Sequence, residues 1–146
     1  GLDQHAGLGH VDQLTQLGVS GFRPLICDHA QRKIETYRPD KLNRIMEEAM
    51  KQCRRVWPLI IGEPLHFADA IRDPDAVIAD ASGHPWAPQG DKTAHHALIV
   101  GPEGGWSNTE REQFVEPSVP VHRFGQLVMR IETAAVAAAA TIMGTA

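Results

Sequence analysis

The sequence has few cysteines, no long apolar run and no excess of positive charge. Its two cysteines, Cys27 and Cys53, lack the spacing of a metal or redox site and are expected to be free thiols in a reducing compartment. A formal net charge of −4 argues against a domain that coats nucleic acid electrostatically, so contacts with RNA have to come from local basic patches. No segment is apolar enough to span a bilayer, and the first residues do not form a signal sequence. We therefore expect a cytoplasmic protein.

The chain does contain an alternation of helix-like and strand-like segments, and its 146 residues suit one domain. Helices are predicted over 7–17, 40–54, 66–71, from the Ser107 cap onward, and over 130–143. Strands are predicted over 22–27, 76–80, 97–100 and 120–123, with a short apolar run over 56–61 and a loop over 82–95. Strands separated by helices predict an α/β fold with a mostly parallel sheet flanked by helices. The alanine-rich last helix is expected to pack closely against another backbone, at a dimer interface, unless alanine serves only helix propensity.

Two glycine-centred turns, each after an apolar run and each before a predicted helix, are the most informative feature. The first is Leu98-Ile-Val-Gly-Pro-Glu-Gly-Gly-Trp106, and the second is Phe124-Gly-Gln-Leu-Val-Met-Arg-Ile-Glu-Thr-Ala134. Glycine lets main-chain atoms approach a ligand closely, and ligands of parallel α/β sheets bind beyond the carboxyl ends of the strands. The two turns therefore predict one pocket for a flat polar molecule, built largely from main chain.

The same two motifs, in this order, resemble the RsmE family of SPOUT-class methyltransferases. The resemblance is carried by Gly-Pro-Glu-Gly-Gly-aromatic-Ser in the first motif and by Gly-x-x-(apolar)-(apolar)-Arg-x-Glu-Thr-Ala in the second. Two upstream segments also resemble the family: Leu17-Gly-Val19 leading to Pro24, and Glu48-Ala-x-x-Gln52-x-x-Arg55-x-x-Pro58. The resemblance thus extends over nearly the whole chain.

The resemblance implies methylation of N3 of a uridine in small-subunit (16S) ribosomal RNA, with S-adenosyl-L-methionine (SAM) as the methyl donor and no metal. It also implies a SPOUT-type α/β knot, in which the C-terminal segment threads through a loop to form a trefoil, and a homodimer whose subunits complete the site. We expect residues 1–146 to be one SPOUT methyltransferase domain. The family's N-terminal PUA-like RNA-binding domain, and most of the first strand before residue 7, are expected to be absent.

The resemblance also assigns residues to roles. The expected cofactor-binding residues are Ile78, Ala79, Asp80, Gly101, Pro102, Gly104, Gly105, Gly125, Leu127, Val128, Met129, Thr133 and Ala134. Uridine N3 is a weak acid, so Arg130 is expected to hold negative charge on the uracil oxygens and Glu103 to accept the proton. Because N3 lies on the Watson–Crick edge, the target base has to be unpaired or flipped out.

Each catalytic candidate has a structural alternative. In that alternative, Arg130 pairs with Glu132 or Glu103 and braces the fold, while Glu103 caps backbone N–H groups. Trp106 either stacks on a ligand base or anchors the core.

The basic residues near the end of the second helix also have two interpretations. Lys51, Arg54 and Arg55 are expected to contact RNA phosphates, the alternative being a solvated helix end whose charge complements the helix dipole.

Several residues depart from the family or suggest other chemistry. His95 and His96 have no acidic or cysteine partner at ligand spacing, which disfavours a metal site. Cys27 and His29 share one strand face, but nothing completes a nucleophilic triad. Gln13 stands where the family usually has Lys, and Cys27-Asp28-His29-Ala30 stands where it has Thr-Glu-Arg-Ser, so His29 removes a permanent charge. Two other functions stay open: a SAM-binding SPOUT module without turnover, and a SPOUT methyltransferase with another RNA target.

Overall fold

A parallel β-sheet forms the centre of the computed structural model, which describes residues 2–6, 10–30, 37–87, 94–115, 119–126 and 129–143. Within these residues the strands are β1 (Leu2–Ala6), β2 (Gly21–Ile26), β3 (Ile60–Ile61), β4 (Leu65–His66), β5 (Ala76–Pro85), β6 (His96–Val100) and β7 (Val121–Arg123). Their order across the sheet is β3-β2-β1-β6-β5-β7, with β4 beside β2, and every pairing is parallel. The predicted parallel sheet is therefore confirmed.

Helices cover both faces of this sheet. In the described residues they are α1 (Val11–Gln16), α2 (Pro39–Cys53), α3 (Phe67–Ala70), α4 (Asn108–Val115) and α5 (Ile131–Met143). On one face α1, α2 and α5 pack on Leu2 and Leu98, and on the other α3 and α4 pack on Ile78 and Ile99. Neighbouring residues of one strand point to opposite faces, so each strand contributes to both cores. None of the described helices is long and apolar enough to cross a membrane.

The first strand is present, so the expectation that most of it is missing is wrong. Leu2–Ala6 is the strand between β2 and β6, where Asp3 is in register with Gly21 on one side and with Ala97 on the other. Its residues are largely buried, including the polar Gln4 and His5. A central parallel strand is covered on both faces and need not alternate, so periodicity does not reveal it.

Three other boundaries differ from the prediction. β5 continues past residue 80 to Pro85, through a register irregularity in which Ala79 and His84 both pair with His122. The predicted loop over 82–95 therefore begins later, and its residues 88–93 lie outside the described residues. The apolar run over 56–61 contributes only the two-residue β3. α1 begins at Val11, whereas residues 7–9 of the predicted helix lie outside the described residues.

The alanines of α5 allow it to approach the sheet closely. Ala135, Ala138 and Ala139 are fully buried and belong to the same core cluster as Leu2 and Val100. The predicted close approach is thus made to the protein's own sheet. A dimer interface involving α5 stays a prediction.

Candidate functional site

A cavity of about 390 Å³ lies where the two glycine-centred turns meet, beyond the carboxyl ends of β6 and β7 and beside the middle of β5. Its walls include the predicted site residues Ala79, Asp80, Gly101, Pro102, Glu103, Gly105, Gly125, Met129 and Ala134. The other wall residues are Ala81, Val100, Trp106, Arg123, Phe124 and Gln126. The prediction that both turns line one pocket is confirmed.

The first turn is shaped by close packing on a buried aromatic ring. A Cβ placed on Gly101 would lie 2.8 Å from the ring of Trp106, so this position has no room for a side chain. Trp106 is 7% exposed, and its ring centroid lies 4.9 Å from that of Phe67 and 5.9 Å from that of Phe114. Trp106 therefore anchors the core and presents only part of its surface to the cavity. Gly105 has φ +77°, and its N–H donates to the carbonyl oxygen of Pro102 at 2.9 Å.

A capping box fixes the start of α4 directly after this turn. The Ser107 N–H donates to Oε1 of Glu110 at 2.9 Å, and the Glu110 N–H donates to Oγ of Ser107 at 3.1 Å. The second carboxylate oxygen of Glu110 accepts the Asp28 N–H at 3.0 Å. This reciprocal pair satisfies N–H groups at the helix start, as predicted from the Ser-x-x-Glu pattern. It also ties the loop after β2 to the cavity wall.

The second turn supplies the opposite wall. Phe124 lines the cavity and stacks on Trp86, with ring centroids 5.5 Å apart and planes at 26°. Gly125 and Met129 line the same cavity, as expected. Leu127 and Val128, which were expected to bind the cofactor, lie outside the described residues.

Several expected site residues do not reach the described cavity wall. Ile78 is fully buried in the core cluster that includes Ile99, because it points to the opposite side of β5 from Ala79. Gly104 faces away from the cavity, since a Cβ on it would meet His29. Thr133 is exposed on the first turn of α5. Contact of these residues with the cofactor stays a prediction.

The two catalytic candidates differ in their position relative to the cavity. Glu103 lies on the cavity wall, whereas Arg130 is exposed and is not among the described wall residues. Glu132 accepts a hydrogen bond from its own backbone N–H and shares one with the Glu103 side chain, and these bonds lower the pKa of Glu132. The positive charges of His10 and Arg130 lower it further. Arg130 thus acts on Glu132 through its charge alone, since the two side chains form no ion pair within the described residues. The catalytic and the bracing roles of Arg130 both stay predictions.

The charged wall residue missed by the sequence reasoning is Arg123. It ends β7 immediately before Phe124 and lines the cavity. Within the described residues, its guanidinium makes no hydrogen bond or ion pair. Asp80 lies on the same wall and accepts hydrogen bonds from the N–H and the hydroxyl of Ser82. Its Oδ2 atom also forms an ion pair with Nη1 of Arg111 at 3.7 Å. A cation at a strand end just before a ligand-binding turn is the sequence signal that could have identified Arg123.

Arg55 has a structural role, contrary to the expected RNA contact. Its guanidinium donates to three carbonyl oxygens: Nη1 to Thr15 at 2.9 Å, Nη2 to Val19 at 2.6 Å and Nε to Trp57 at 2.6 Å. These bonds join the end of α1 to the approach to β3 and leave little capacity for a phosphate. Lys51 is exposed and pairs with Glu48 at 3.2 Å.

Arg54 is the one of the three basic candidates whose described side chain makes no hydrogen bond or ion pair. It is exposed and caps the end of α2 in the left-handed region, at φ 59°. Its guanidinium is therefore available to an anion, so RNA contact by Arg54 stays a prediction.

The metal and nucleophile alternatives gain no support from the described residues. Nε2 of His95 donates one hydrogen bond to the carboxylate oxygen Oδ2 of Asp3 at 3.0 Å, and no described group of three or more potential ligands surrounds it. Cys27 is 3% exposed, and burial, followed by the charges of Glu110 and Asp28, raises the pKa of its thiol to about 12. A thiol with such a pKa is protonated at neutral pH and is a poor nucleophile.

Solved structures of methyltransferases share this fold. A putative methyltransferase of Legionella pneumophila in complex with SAM has a TM-score of 0.82 at 24% identity, over 98% of this chain and 66% of that one. The ribosomal RNA small subunit methyltransferase E of Neisseria gonorrhoeae, bound to SAM, has a TM-score of 0.80 at 19% identity, over 99% and 65%. These similarities confirm the α/β fold, with a mostly parallel sheet flanked by helices. The threading of a trefoil knot stays a prediction.

Sequence comparison defines the family. Residues 10–143 match the RNA methyltransferase domain, and the chain belongs to that family. The ribosomal RNA small subunit methyltransferase E of Aquifex aeolicus is 31% identical, over 91% of this chain and 60% of that protein. The enzyme of the same name from Synechocystis is 26% identical, over 88% of this chain and 46% of that protein. The chain therefore spans about half to three fifths of the length of these relatives.

Proposed function

We propose that this chain is the catalytic domain of a SAM-dependent methyltransferase that modifies N3 of a uridine in small-subunit (16S) ribosomal RNA. The observation that carries the proposal is the cavity shared by the two glycine-centred turns, which are also the motifs that resemble the RsmE family. The Aquifex and Synechocystis relatives, both named ribosomal RNA small subunit methyltransferase E, support the reaction and its RNA. The SAM in the Legionella and Neisseria structures supports the cofactor.

The wall residues fit SAM in size and in chemistry. A volume of about 390 Å³ lies in the range of small-molecule sites, roughly 300–1,000 Å³. Phe124, Met129 and Val100 offer apolar surface for the adenine. Arg123 complements the carboxylate of the methionine part, and the carboxylate of Asp80 complements its positive charge. The glycine turns present main-chain groups to the polar edges.

The chemistry left to the protein is preparation of the uracil nitrogen, since SAM supplies a methyl group already activated by the positive charge on sulfur. Glu103, on the cavity wall, accepts the N3 proton, for which its carboxyl group has to be ionised and released from its hydrogen bond with Glu132. Arg130, whose guanidinium makes no hydrogen bond or ion pair within the described residues, holds the negative charge that develops on the uracil oxygens. The uridine has to enter unpaired, because N3 is part of the pairing edge.

Binding of RNA and assembly complete the proposal. Lys51 and Arg54 are exposed cations available for phosphate contact. A homodimer that completes the site and a cytoplasmic location are also proposed, on the strength of the RsmE resemblance. The proposed methyl transfer uses no metal ion.

Isothermal titration calorimetry with SAM tests the pocket. We expect saturable one-to-one binding by the wild-type protein, and loss of that binding in Gly104→Val, since the new side chain would collide with His29 behind the turn. The absence of binding by the wild type at low millimolar SAM would exclude the cofactor site.

Primer extension on 16S ribosomal RNA tests the reaction. Methylation at N3 blocks base pairing and stops reverse transcriptase, so RNA from a deletion strain should lose one stop that the full-length gene restores. SAM binding together with an unchanged stop pattern would instead support a binding module without turnover, or a different RNA target. The low positive charge, and His29 at a position where the family usually has Arg, favour the binding module without turnover as the second candidate.

A further inference from the structure

His29 contacts the back of the first glycine-centred turn. It lies in a tight turn after β2 that is closed by a hydrogen bond from the Ala30 N–H to the Cys27 carbonyl oxygen at 3.1 Å. Nδ1 of His29 is 3.0 Å from the carbonyl oxygens of both Gly104 and Gly105. Carbonyl oxygens only accept hydrogen bonds, so Nδ1 has to carry the proton.

The contact between the two turns is close as well as polar. A Cβ on Gly104 would lie 2.9 Å from Cβ of His29, so only glycine allows the imidazole to reach both carbonyl groups. On the other side of His29, Oγ of Ser107 donates to Oδ2 of Asp28 at 2.5 Å, and the Asp28 N–H donates to Glu110. The turn that bears His29 is therefore held firmly against the start of α4.

The glycine turn itself has few side chains that could fix its conformation. Gly104 and Gly105 have none, and no atom of the described residues lies within 4 Å of a Cβ built on Gly105. Glycine backbone loses more conformational entropy on ordering than any other residue. Within the turn the Gly105 N–H donates to Pro102, and from outside it His29 adds a donor to two successive carbonyl oxygens.

We propose that His29 is a positioning residue, which orders the Gly104–Gly105 turn before the ligand arrives and thereby strengthens SAM binding. The inference rests on the proposed SAM site. Gly105 and Glu103 line the cavity and flank the carbonyl group of Gly104, so the bond to His29 acts directly on the wall. Ordering a binding loop in advance raises affinity because less entropy is lost on binding.

Substitutions at His29 test whether the hydrogen-bond donor at Nδ1, rather than the imidazole ring as a whole, is required for SAM binding. Asn places its amide nitrogen near the position of Nδ1, whereas Gln places it near Nε2, out of reach of the two carbonyl oxygens. We expect His29→Ala and His29→Gln to weaken SAM binding about fivefold to tenfold, the usual effect of one lost hydrogen bond. His29→Asn should recover affinity to within about twofold. His66→Ala is the matched control, since His66 is an exposed histidine whose side chain makes no capping bond.

Two readouts distinguish positioning from catalysis and from folding. In methylation assays the KM for SAM should rise in His29→Ala while kcat stays within about twofold, because His29 touches no reacting atom. In the ligand-free protein, hydrogen exchange of the Gly105 N–H, which donates to Pro102, should become faster in His29→Ala and His29→Gln but not in His29→Asn.

The possible outcomes separate this inference from the proposed function. If the wild type fails to bind SAM, the proposed function is wrong, and the exchange measurement still decides whether His29 orders the turn. If the wild type binds SAM and His29→Ala binds it equally well with unchanged exchange, the positioning role is excluded. Equal losses in His29→Asn and His29→Ala would also exclude it.

Discussion

Arginine side chains have opposite roles at two edges of the parallel sheet. At the cavity edge, beyond the carboxyl ends of β6 and β7, glycine turns leave the main chain open and Arg123 has no partner among the described residues. At the amino edge, where Val19 and Thr15 precede β2, Arg55 binds three main-chain carbonyl oxygens. One arginine is therefore available to a ligand, and the other stabilises the fold. Clustered positive charge in the sequence does not distinguish these roles.

The largest effect is expected at the cavity edge from Gly101→Val. The new side chain would meet the Trp106 ring, which is itself packed between Phe67 and Phe114 and has little room to move. Overpacking of this kind costs roughly 1–3 kcal/mol of stability, and the displaced turn should reduce SAM affinity by about a hundredfold or more. Urea denaturation and calorimetry measure the two effects.

Gly105→Ala is the control for that substitution. In the part of the chain that the structure describes, no atom lies close enough to clash with the added methyl group. The left-handed backbone, at φ +77°, opposes the substitution by about 1–2 kcal/mol. SAM binding should survive in this variant. Wild-type affinity in Gly101→Val would show that the packing of this turn does not shape the site.

The amino edge should respond to Arg55→Ala in stability alone. Loss of hydrogen bonds from a charged donor, with the accepting carbonyl groups left partly buried, should lower the free energy of unfolding by about 2–3 kcal/mol. Arg55→Lys should restore little of this, because an ammonium cannot reach three diverging carbonyl oxygens in the same way. The Kd for SAM should stay at its wild-type value. A variant of normal stability with weakened RNA binding would reverse the assignment.

Arg123→Met should have the opposite profile. Removing the cation that faces the cavity should weaken SAM binding about tenfold, whereas the free energy of unfolding should change by less than about 0.5 kcal/mol. Arg44→Met, at an exposed position on α2, is the control for loss of one positive charge. Equal affinities for the two variants would show that Arg123 does not contact the cofactor.

Sequence patterns predicted the parallel sheet, the capping box of α4 and the meeting of two glycine turns in one pocket. These features depend on local chemistry: buried apolar runs, the Ser107–Glu110 spacing and glycine itself. The missed features depend on contacts between distant segments. β1 was not predicted because its buried residues include the polar Gln4 and His5. The bonds from Arg55 to Thr15 and from His29 to Gly104 join residues that are far apart in the sequence.

The smallest expected effect is a change in the pH dependence of stability, and it is tested by comparing one cysteine at each edge of the sheet. Cys27 follows β2 towards the cavity edge and is buried, whereas Cys53 is exposed near the amino edge. Burial, then Glu110 and Asp28, raises the pKa of the Cys27 thiol from about 9 to about 12. Between these values the unfolded chain loses a proton that the folded protein keeps, so the stability contributed by Cys27 is complete below pH 9 and declines as the pH rises towards 12.

Urea denaturation at pH 7.5 and pH 10 measures this decline, and it should be smaller in Cys27→Ala than in the wild type. Cys53→Ala is the control, and its pH dependence should match that of the wild type. Alkylation at pH 8 provides a second test, because a protonated buried thiol reacts slowly: iodoacetamide should modify Cys53 and leave Cys27 intact until the protein unfolds. Rapid modification of Cys27 in the folded protein would show that the loop after β2 opens readily. A loop that opens in this way could not hold the glycine turn through His29, so the cysteine at the cavity edge also reports on the contact proposed for its neighbour.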